Sequence, residues 1–419
     1  MPETPPTTPP VAPVPIKPPV PSPASVAVEE RILTPDFFKL ALGLHFFMLN
    51  MSIFNLLPYY LELRGASADL YGQVAGSMGI SNVVMLLLLG HRADVWSLKA
   101  TLSTYFVAAF AGNLVALWAM GQESLYWFFV ARMLQGVFMG LGFPLLSGWV
   151  VALSPPKRKQ AAVAWLGIAG ILANSLGPTL GELVLAWQGR PEDPTAYFAV
   201  FAMATVFQVI SLGFLLSARN VHSHGSGAAK GLGALLKQRD ALLLLAVCFI
   251  FGGLFGAIMS FSKNYTAWLG LPFVSLLLWA YTVGAIFSRV VIQVVMRHIT
   301  ESSLILLGLL GLGLTFLLLG FVRDYPLLTF TGLLYGLSHG VLYPTLYVRF
   351  LDTQPRDEVG RSSTLYQGSF SIGWGLFPLF GGSVVGLTNF PTFFGLLAAC
   401  AGIGILLYLA AERTPQRRT

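Results

Sequence analysis

From Asp36 almost to the C-terminus, apolar runs close to the ~20 residues that cross a bilayer alternate with short polar breaks. Twelve such runs are readable, at 36–60, 70–90, 99–120, 124–150, 161–187, 197–217, 241–263, 274–296, 301–321, 324–349, 361–387 and 391–411. They predict twelve transmembrane helices, and the glycines and prolines inside them predict bent helices rather than straight rods. Before them, residues 1–34 are mostly Pro, Thr, Val and Ala, without the basic start and apolar core of a cleavable signal, which predicts a disordered Pro-rich cytoplasmic tail. The longest later break, 218–240, follows the sixth run and divides the chain into bundles at 35–217 and 241–411, with a short cytoplasmic tail at 412–419.

One stretch is used twice. Gly136, Gly140, Pro144, Pro155, Pro178 and Gly181 fall in register with Gly336, Gly340, Pro344, Pro355, Pro378 and Gly381. Composition predicts only about 0.2 coincident prolines over such a window, and three coincide, so a helix pair has been copied in the same direction. Parallel duplication of membrane halves is a transporter pattern. Gly at i and i+4 lets helices approach closely, and Pro four residues on loosens the backbone ladder where a helix must bend.

Composition adds the solvent and the orientation. The chain of 419 residues is 55% hydrophobic and 10% charged, so lipid surrounds most of it. Its net charge of +7 sits in the turns, which argues for membrane orientation and against nucleic acid. Arg92, Lys99, Lys157, Arg158, Lys159, Arg219, Lys230, Lys237, Arg239, Arg297, Arg349, Arg356 and Arg361 fall in alternate turns, while the intervening turns hold Arg64, Arg190, Lys263 and Arg323. The even span count then predicts both termini in the cytoplasm, in the plasma or inner membrane. Cys248 and Cys400 each lie in an apolar run, and His222 and His224 lie on a Gly/Ser linker, so no disulfide framework or metal site is expected. No GxxxxGK[ST] phosphate cradle and no HExxH occur, which argues against an ATP-driven pump and a metalloprotease.

Local motifs carry a resemblance. Between the second and third runs stand Gly90, Asp94 and Lys99, with departures at Val95, Ser97 and Leu98; the fourth run reads Arg132, Met133, Leu134, Gln135, Gly136; the fifth reads GPTLGE, with Gly177, Pro178 and Gly181 followed by Glu182. These residues resemble the loop motif, the Arg-x-x-Gln-Gly motif and the GPxxGG motif of the major facilitator superfamily, the last typical of its drug/proton antiporter branch, with Glu182 replacing the final Gly. Arg289 matches an arginine of many efflux members, whereas Gln293 and Arg297 stand where the repeated loop motif would have Gly and Asp. The resemblance implies an all-α membrane protein whose twelve helices form two pseudo-symmetric six-helix bundles. It further implies a monomeric secondary carrier of a small molecule without cofactor, coupled to protons. Gly90, Asp94, Lys99, Gly177, Pro178 and Gly181 would then serve gating.

The site must be lined by polar groups otherwise too costly to leave in lipid. Arg132, Glu182, His45 and His339 are the candidates for proton coupling, a buried carboxyl such as Glu182 being suited to holding a proton through desolvation. Each has a plainer reading: Arg132 as a hydrogen-bond hub, Glu182 facing the interface, the histidines as bonded interior residues. His45 belongs to a helical stripe with Met48, Ser52, Asn55 and Tyr59, His339 to one with Tyr335 and Tyr343, and Gln367 to one with Phe370, Trp374 and Phe377. Ser52, Asn55, Gln135, Lys263, Arg289, Tyr335, Tyr343, Gln367 and Trp374 are the candidate cavity residues. Lys263 can instead snorkel outward, and Arg289 can anchor a helix. If both face the cleft, its field is positive. Three functions compete: proton-coupled efflux of an amphipathic compound, uptake symport of an organic acid or sugar, and a non-transporting membrane sensor.

Overall fold

A computed structural model describes residues 33–89, 98–155, 158–220, 238–295, 299–354 and 359–413. Among them twelve long helices occupy the twelve apolar runs: α1 (Pro35–Leu63), α2 (Ala68–Leu89), α3 (Leu98–Ala119), α4 (Trp127–Leu153), α5 (Lys159–Gln188), α6 (Tyr197–Ser217), α7 (Arg239–Trp268), α8 (Ser275–Val295), α9 (Glu301–Leu319), α10 (Tyr325–Leu351), α11 (Val359–Leu387) and α12 (Phe390–Glu412). Eight of them are long and apolar enough to cross a membrane by length and composition alone. The expected Pro-rich tail, most of the 218–240 linker with His222 and His224, and Gly90, Asp94 and Arg297 lie outside the described residues.

Local chemistry sets the helix ends. Thr34 accepts from the Phe37 N–H at 3.2 Å with Pro35 in the first turn, and Asp324 and Asn389 do the same for Leu327 and Thr392. Near lipid these caps replace the water that first-turn donors would lack. Within α1, Pro58 has no N–H to offer the carbonyl four residues back, and the chain tightens there into a 3-10 turn at Phe54–Leu56. Pro178, Pro344 and Pro378 lie inside α5, α10 and α11.

The two halves repeat one packing scheme. In the first, α1 packs on α5 and α6, α2 on α4, and α3 on α4 and α6; in the second, α7 packs on α11 and α12, α8 on α10, and α9 on α10 and α12. Adding six to each helix number converts one scheme into the other. Glycines show the same correspondence: Gly136 of α4 lies against Met78 and Ser81 of α2, and Gly336 of α10 against Tyr281 and Ala285 of α8. Likewise Gly181 meets Leu56 of α1 and Val200 of α6, while Gly381 meets Phe261 of α7 and Phe393 of α12.

The halves join along two seams, α2 on α11 and α5 on α8, which the same renumbering exchanges. At the first, Gly72, Gly76 and Gly79 face Pro378, Gly382 and Gly375 so closely that a methyl on Gly79 would land on the Gly375 Cα. Only glycine permits that backbone approach. Because the number of described long helices is even, the start of α1 and the end of α12 lie at one face, called here the terminal face; α1 runs from it to the far face. At the terminal face each half is tied to itself: Lys39 donates to the Ser217 carbonyl at 3.0 Å and Trp149 Nε1 to the Arg219 carbonyl at 3.0 Å, and Arg349 pairs with Glu412 at 2.5 Å.

Candidate functional site

An arginine inside an apolar bundle has five donors and no acceptor, so everything around it must accept. Arg132 of α4, buried, donates through Nη1 to Gln135 Oε1 at 2.7 Å. That fixes the next step: Gln135 Nε2 donates to Asn113 Oδ1 at 2.8 Å, Asn113 Nδ2 to Asn50 Oδ1 at 2.8 Å, Asn50 Nδ2 to Gln208 Oε1 at 3.1 Å, and Gln208 Nε2 to the Phe106 carbonyl at 3.1 Å. A one-way relay thus crosses α4, α3, α1 and α6, and all five side chains are buried. Gln135 belongs to this relay. Asn50, Asn113 and Gln208 escape a search of the sequence for ionisable groups, although an amide inside an apolar run is itself a signal, since it needs a partner in lipid.

In the C-terminal half the stripes of α10 and α11 converge on one another. His339 is fully enclosed by rings, stacking on Phe255 at 5.0 Å between centroids and lying 5.1 Å from Phe251, 5.5 Å from Tyr281, 6.0 Å from Tyr335 and 6.2 Å from Tyr343. Tyr343 donates to Gln367 Oε1 at 3.0 Å and meets Phe370 edge-on at 5.8 Å. The Tyr335 hydroxyl is buried with no partner. Trp374 lies between Gly256 of α7 and the apolar cluster of the N-terminal half. Within α10, Gly336–Gly340 reads GxSxG, the pattern of a hydrolase nucleophile elbow. Ser338 is nonetheless mid-helix and donates to the Leu334 carbonyl at 2.8 Å, whereas an elbow needs a strand-to-helix turn.

The α1 stripe separates. His45 contacts the Ala169 carbonyl through Nδ1 at 2.8 Å, which makes that nitrogen the protonated one. Ser52 is taken up by packing: it donates to the Leu49 and Ala173 carbonyls, and Gly177 closes over its hydroxyl. Asn55 is half-buried in the 3-10 turn. Lys99, at the other end of the bundle, donates to the Ala218 carbonyl at 3.2 Å and so ties α3 to the end of α6. Arg289 of α8 sets its guanidinium across the seam against Gly167 of α5, and its Nε is buried without an acceptor.

Between the halves the far face is sealed. Lys263 of α7 pairs with Glu182 of α5 at 2.8 Å, both buried, and also donates to the Pro272 carbonyl. The same carboxylate accepts from the Val274 and Ser275 N–H groups, at 3.0 and 3.2 Å, where α8 begins. Tyr59 presents its ring to Lys263 at 5.6 Å, Asn264 donates to Glu62 at 2.6 Å, and Ser383 of α11 donates to Asp69 of α2. Moving inward, Thr179 accepts from Trp279 at 3.0 Å and Ser175 donates to the Leu278 carbonyl at 2.5 Å. The part of α1 that touches α7 is its far end, residues 54–63. An unpaired charge at the centre of a membrane helix costs about 2.5–3.5 kcal/mol. Glu182 and Lys263, nearer the helix ends, each relieve the other of part of it, and the relief is available only while the halves touch.

Comparison with known proteins agrees with this architecture. The family model of the Major Facilitator Superfamily matches residues 40–302 and 263–419. The multi-drug resistance efflux pump PmrA homolog of Lactococcus lactis subsp. lactis (strain IL1403) is 24% identical over 360 residues, covering 80% of this chain and 84% of that protein. The fatty acid resistance protein FarB of Neisseria gonorrhoeae is 33% identical over 147 residues, covering 34% of this chain and 28% of that protein. Among solved structures, an auto-inhibited POT family peptide transporter superposes with a TM-score of 0.72 at 14% identity, covering 92% of this chain and 99% of its own. The human organic anion transporter MFSD10 (TETRAN) superposes with a TM-score of 0.64 at 18% identity, covering 89% and 99%.

Proposed function

Because the chain belongs to the Major Facilitator Superfamily, we propose that it exports a small amphipathic compound in exchange for protons, one chain being the working unit and both termini cytoplasmic. With that orientation the far face is the outer one, and the described conformer is closed to the outside. The kinship with a multidrug efflux pump over most of the chain favours export over uptake. The observation that carries the reading is the buried Glu182–Lys263 pair, which binds the two bundles together at the outer seam and cannot persist as two separate charges in lipid once they part.

A proton changes that balance: with Glu182 neutral only Lys263 stays charged, and the Pro272 carbonyl of its own half remains its acceptor when the bundles part. Protonating Glu182 from the outer side removes the charge that holds Lys263 and weakens the bonds to the Val274 and Ser275 N–H groups, so the outer seam opens. Release of the compound outward, followed by closure and loss of the proton inward, completes a cycle in which the halves rock about the cleft.

A pH jump on reconstituted vesicles tests this, with a panel of anionic, cationic and neutral amphipathic fluorophores as probes. Exchange accumulates a transported probe when the vesicle interior is acid, and symport does so when the interior is alkaline. Glu182→Gln is expected to lower gradient-driven accumulation by roughly 10-fold or more, the scale of ~1.4 kcal/mol per decade. Accumulation with an alkaline interior, or a Glu182→Gln variant as strongly driven by the gradient as the parent, removes the proposal.

A further inference from the structure

We infer that Arg289 is the recognition group between the halves and that the compound carried is an amphipathic organic anion, its carboxylate, sulfonate or phosphate head on the guanidinium and its apolar part beside the aromatic cluster of α7, α10 and α11. The inference rests on the transporter reading above and narrows it to one class of substrate.

The charge inventory comes first. Within the twelve helices the carboxylates stand at the ends: Asp36, Asp240, Glu301 and Glu412 at the terminal face, and at the far face Glu62, engaged by Asn264, Asp69, by Gln73 and Ser383, and Glu182, by Lys263. The ion pairs among the described residues are Lys39–Asp36, Arg190–Asp193, Lys263–Glu182 and Arg349–Glu412, so neither Arg132 nor Arg289 is in one. Arg132 feeds the amide relay of the N-terminal half. Arg289 has no such outlet: its Nε, like that of Arg132, is buried without an acceptor, and its Nη1 faces Gly167 rather than an amide.

Placement supplies the second step. The guanidinium reaches from the C-terminal half to α5, where Gly167 makes room by lacking a side chain. The neighbour of Arg289 on α8, Ser288, lies against Gly340 of α10, the residue after His339, so the aromatic cluster that holds His339 and Tyr343 stands on the adjoining helix. Phe251, Phe255 and Phe370 complete that cluster around His339 and Tyr343. A planar guanidinium presents paired donors that match a carboxylate, sulfonate or phosphate edge. An organic cation at the same spot would meet an unneutralised positive charge. An anion bound there would lie on the seam between the halves and touch both.

The test uses the full chain in vesicles and three naphthyl probes that differ only in the head: a sulfonate, a trimethylammonium and a neutral alcohol. The parent protein is expected to carry the sulfonate in preference to the ammonium probe. Arg289→Gln is expected to raise the KM for the sulfonate by about 10-fold or more, as loss of a charged hydrogen-bonding partner does, and Arg289→Lys to recover part of it. Gly167→Ala, which sets a methyl against the guanidinium without removing its charge, is expected to weaken sulfonate transport as well, and it covers the case of an unstable Arg289 variant. If the ammonium or neutral probe is carried and the sulfonate is not, the anion assignment fails while the transporter reading stands. If none of the three is carried, the transporter reading fails with it. A KM for the sulfonate unmoved in Arg289→Gln overturns the role of Arg289.

Discussion

Glu182 and Lys263 are each tolerable at their depth only because of the other. Removing one partner of a buried pair leaves the second charge uncompensated, which typically costs ~3–5 kcal/mol, whereas replacing both with neutral groups of similar volume is often harmless. Lys263→Ala is therefore expected to lower the thermal unfolding midpoint in detergent well below that of Lys263→Met combined with Glu182→Gln, and a double-mutant cycle should return a coupling of the same sign; additive effects would show that the pair is not coupled. A similar argument applies to the relay that starts at Arg132. Asn113→Leu removes both an acceptor for Gln135 and a donor to Asn50, so two buried amides lose a bond at once. At about 1–3 kcal/mol for each unsatisfied group, the N-terminal half should lose more stability than from a surface change, read as a lower unfolding midpoint. The sequence names Arg132, Gln135, Glu182 and Lys263 one by one, but not what each holds. Glu182 and Lys263 are 81 residues apart and on opposite sides of the linker, and no spacing rule connects them.

The helices themselves are legible in the sequence because length and apolarity are properties of contiguous residues. The expected and observed ends differ by five residues at most, the largest gap being at the end of α7, which continues to Trp268 through Lys263, Asn264 and Tyr265. Those residues read as a polar end of the run, yet all three are buried, Lys263 and Asn264 between the halves and Tyr265 against Phe390 and Phe394 inside the C-terminal half. The seams are less legible. The repeat pointed to Gly136, Gly181 and their copies, which pack helices within a half, while the glycines that join the halves, Gly72, Gly76 and Gly79 on α2 with Gly375 and Gly382 on α11, belong to no shared motif. A valine at Gly79 or Gly375 must push α2 and α11 apart. Either variant is expected to increase reaction of a cysteine placed at Ser383 with a membrane-impermeant maleimide added from outside, and to slow transport. Unchanged labelling would mean that the α2–α11 crossing does not hold the outer side closed.

On the scale of the whole molecule, the contacts divide into two kinds with different expected behaviour. Those within a half follow the same helix-packing scheme in both halves and include the ties at the terminal face, such as Ser302 to Glu412 at 2.8 Å and Arg349 to Glu412. Among those between halves, Asp69 with Ser383 and Glu182 with Lys263 stand at the far face and exist for one orientation of the halves only. If each half moves as a body, a covalent link of the first kind changes nothing and a link of the second kind stops the cycle. In a background with Cys248 and Cys400 replaced by alanine, a short bismaleimide joining cysteines at 69 and 383 is expected to abolish vesicle transport. The same reagent joining cysteines at 302 and 412 should leave at least half of it. Transport that survives the 69–383 link would mean that the far seam never opens, and the substrate would then need a path that does not pass between the halves. Loss of transport with the 302–412 link would place the motion inside the C-terminal bundle rather than between two rigid ones.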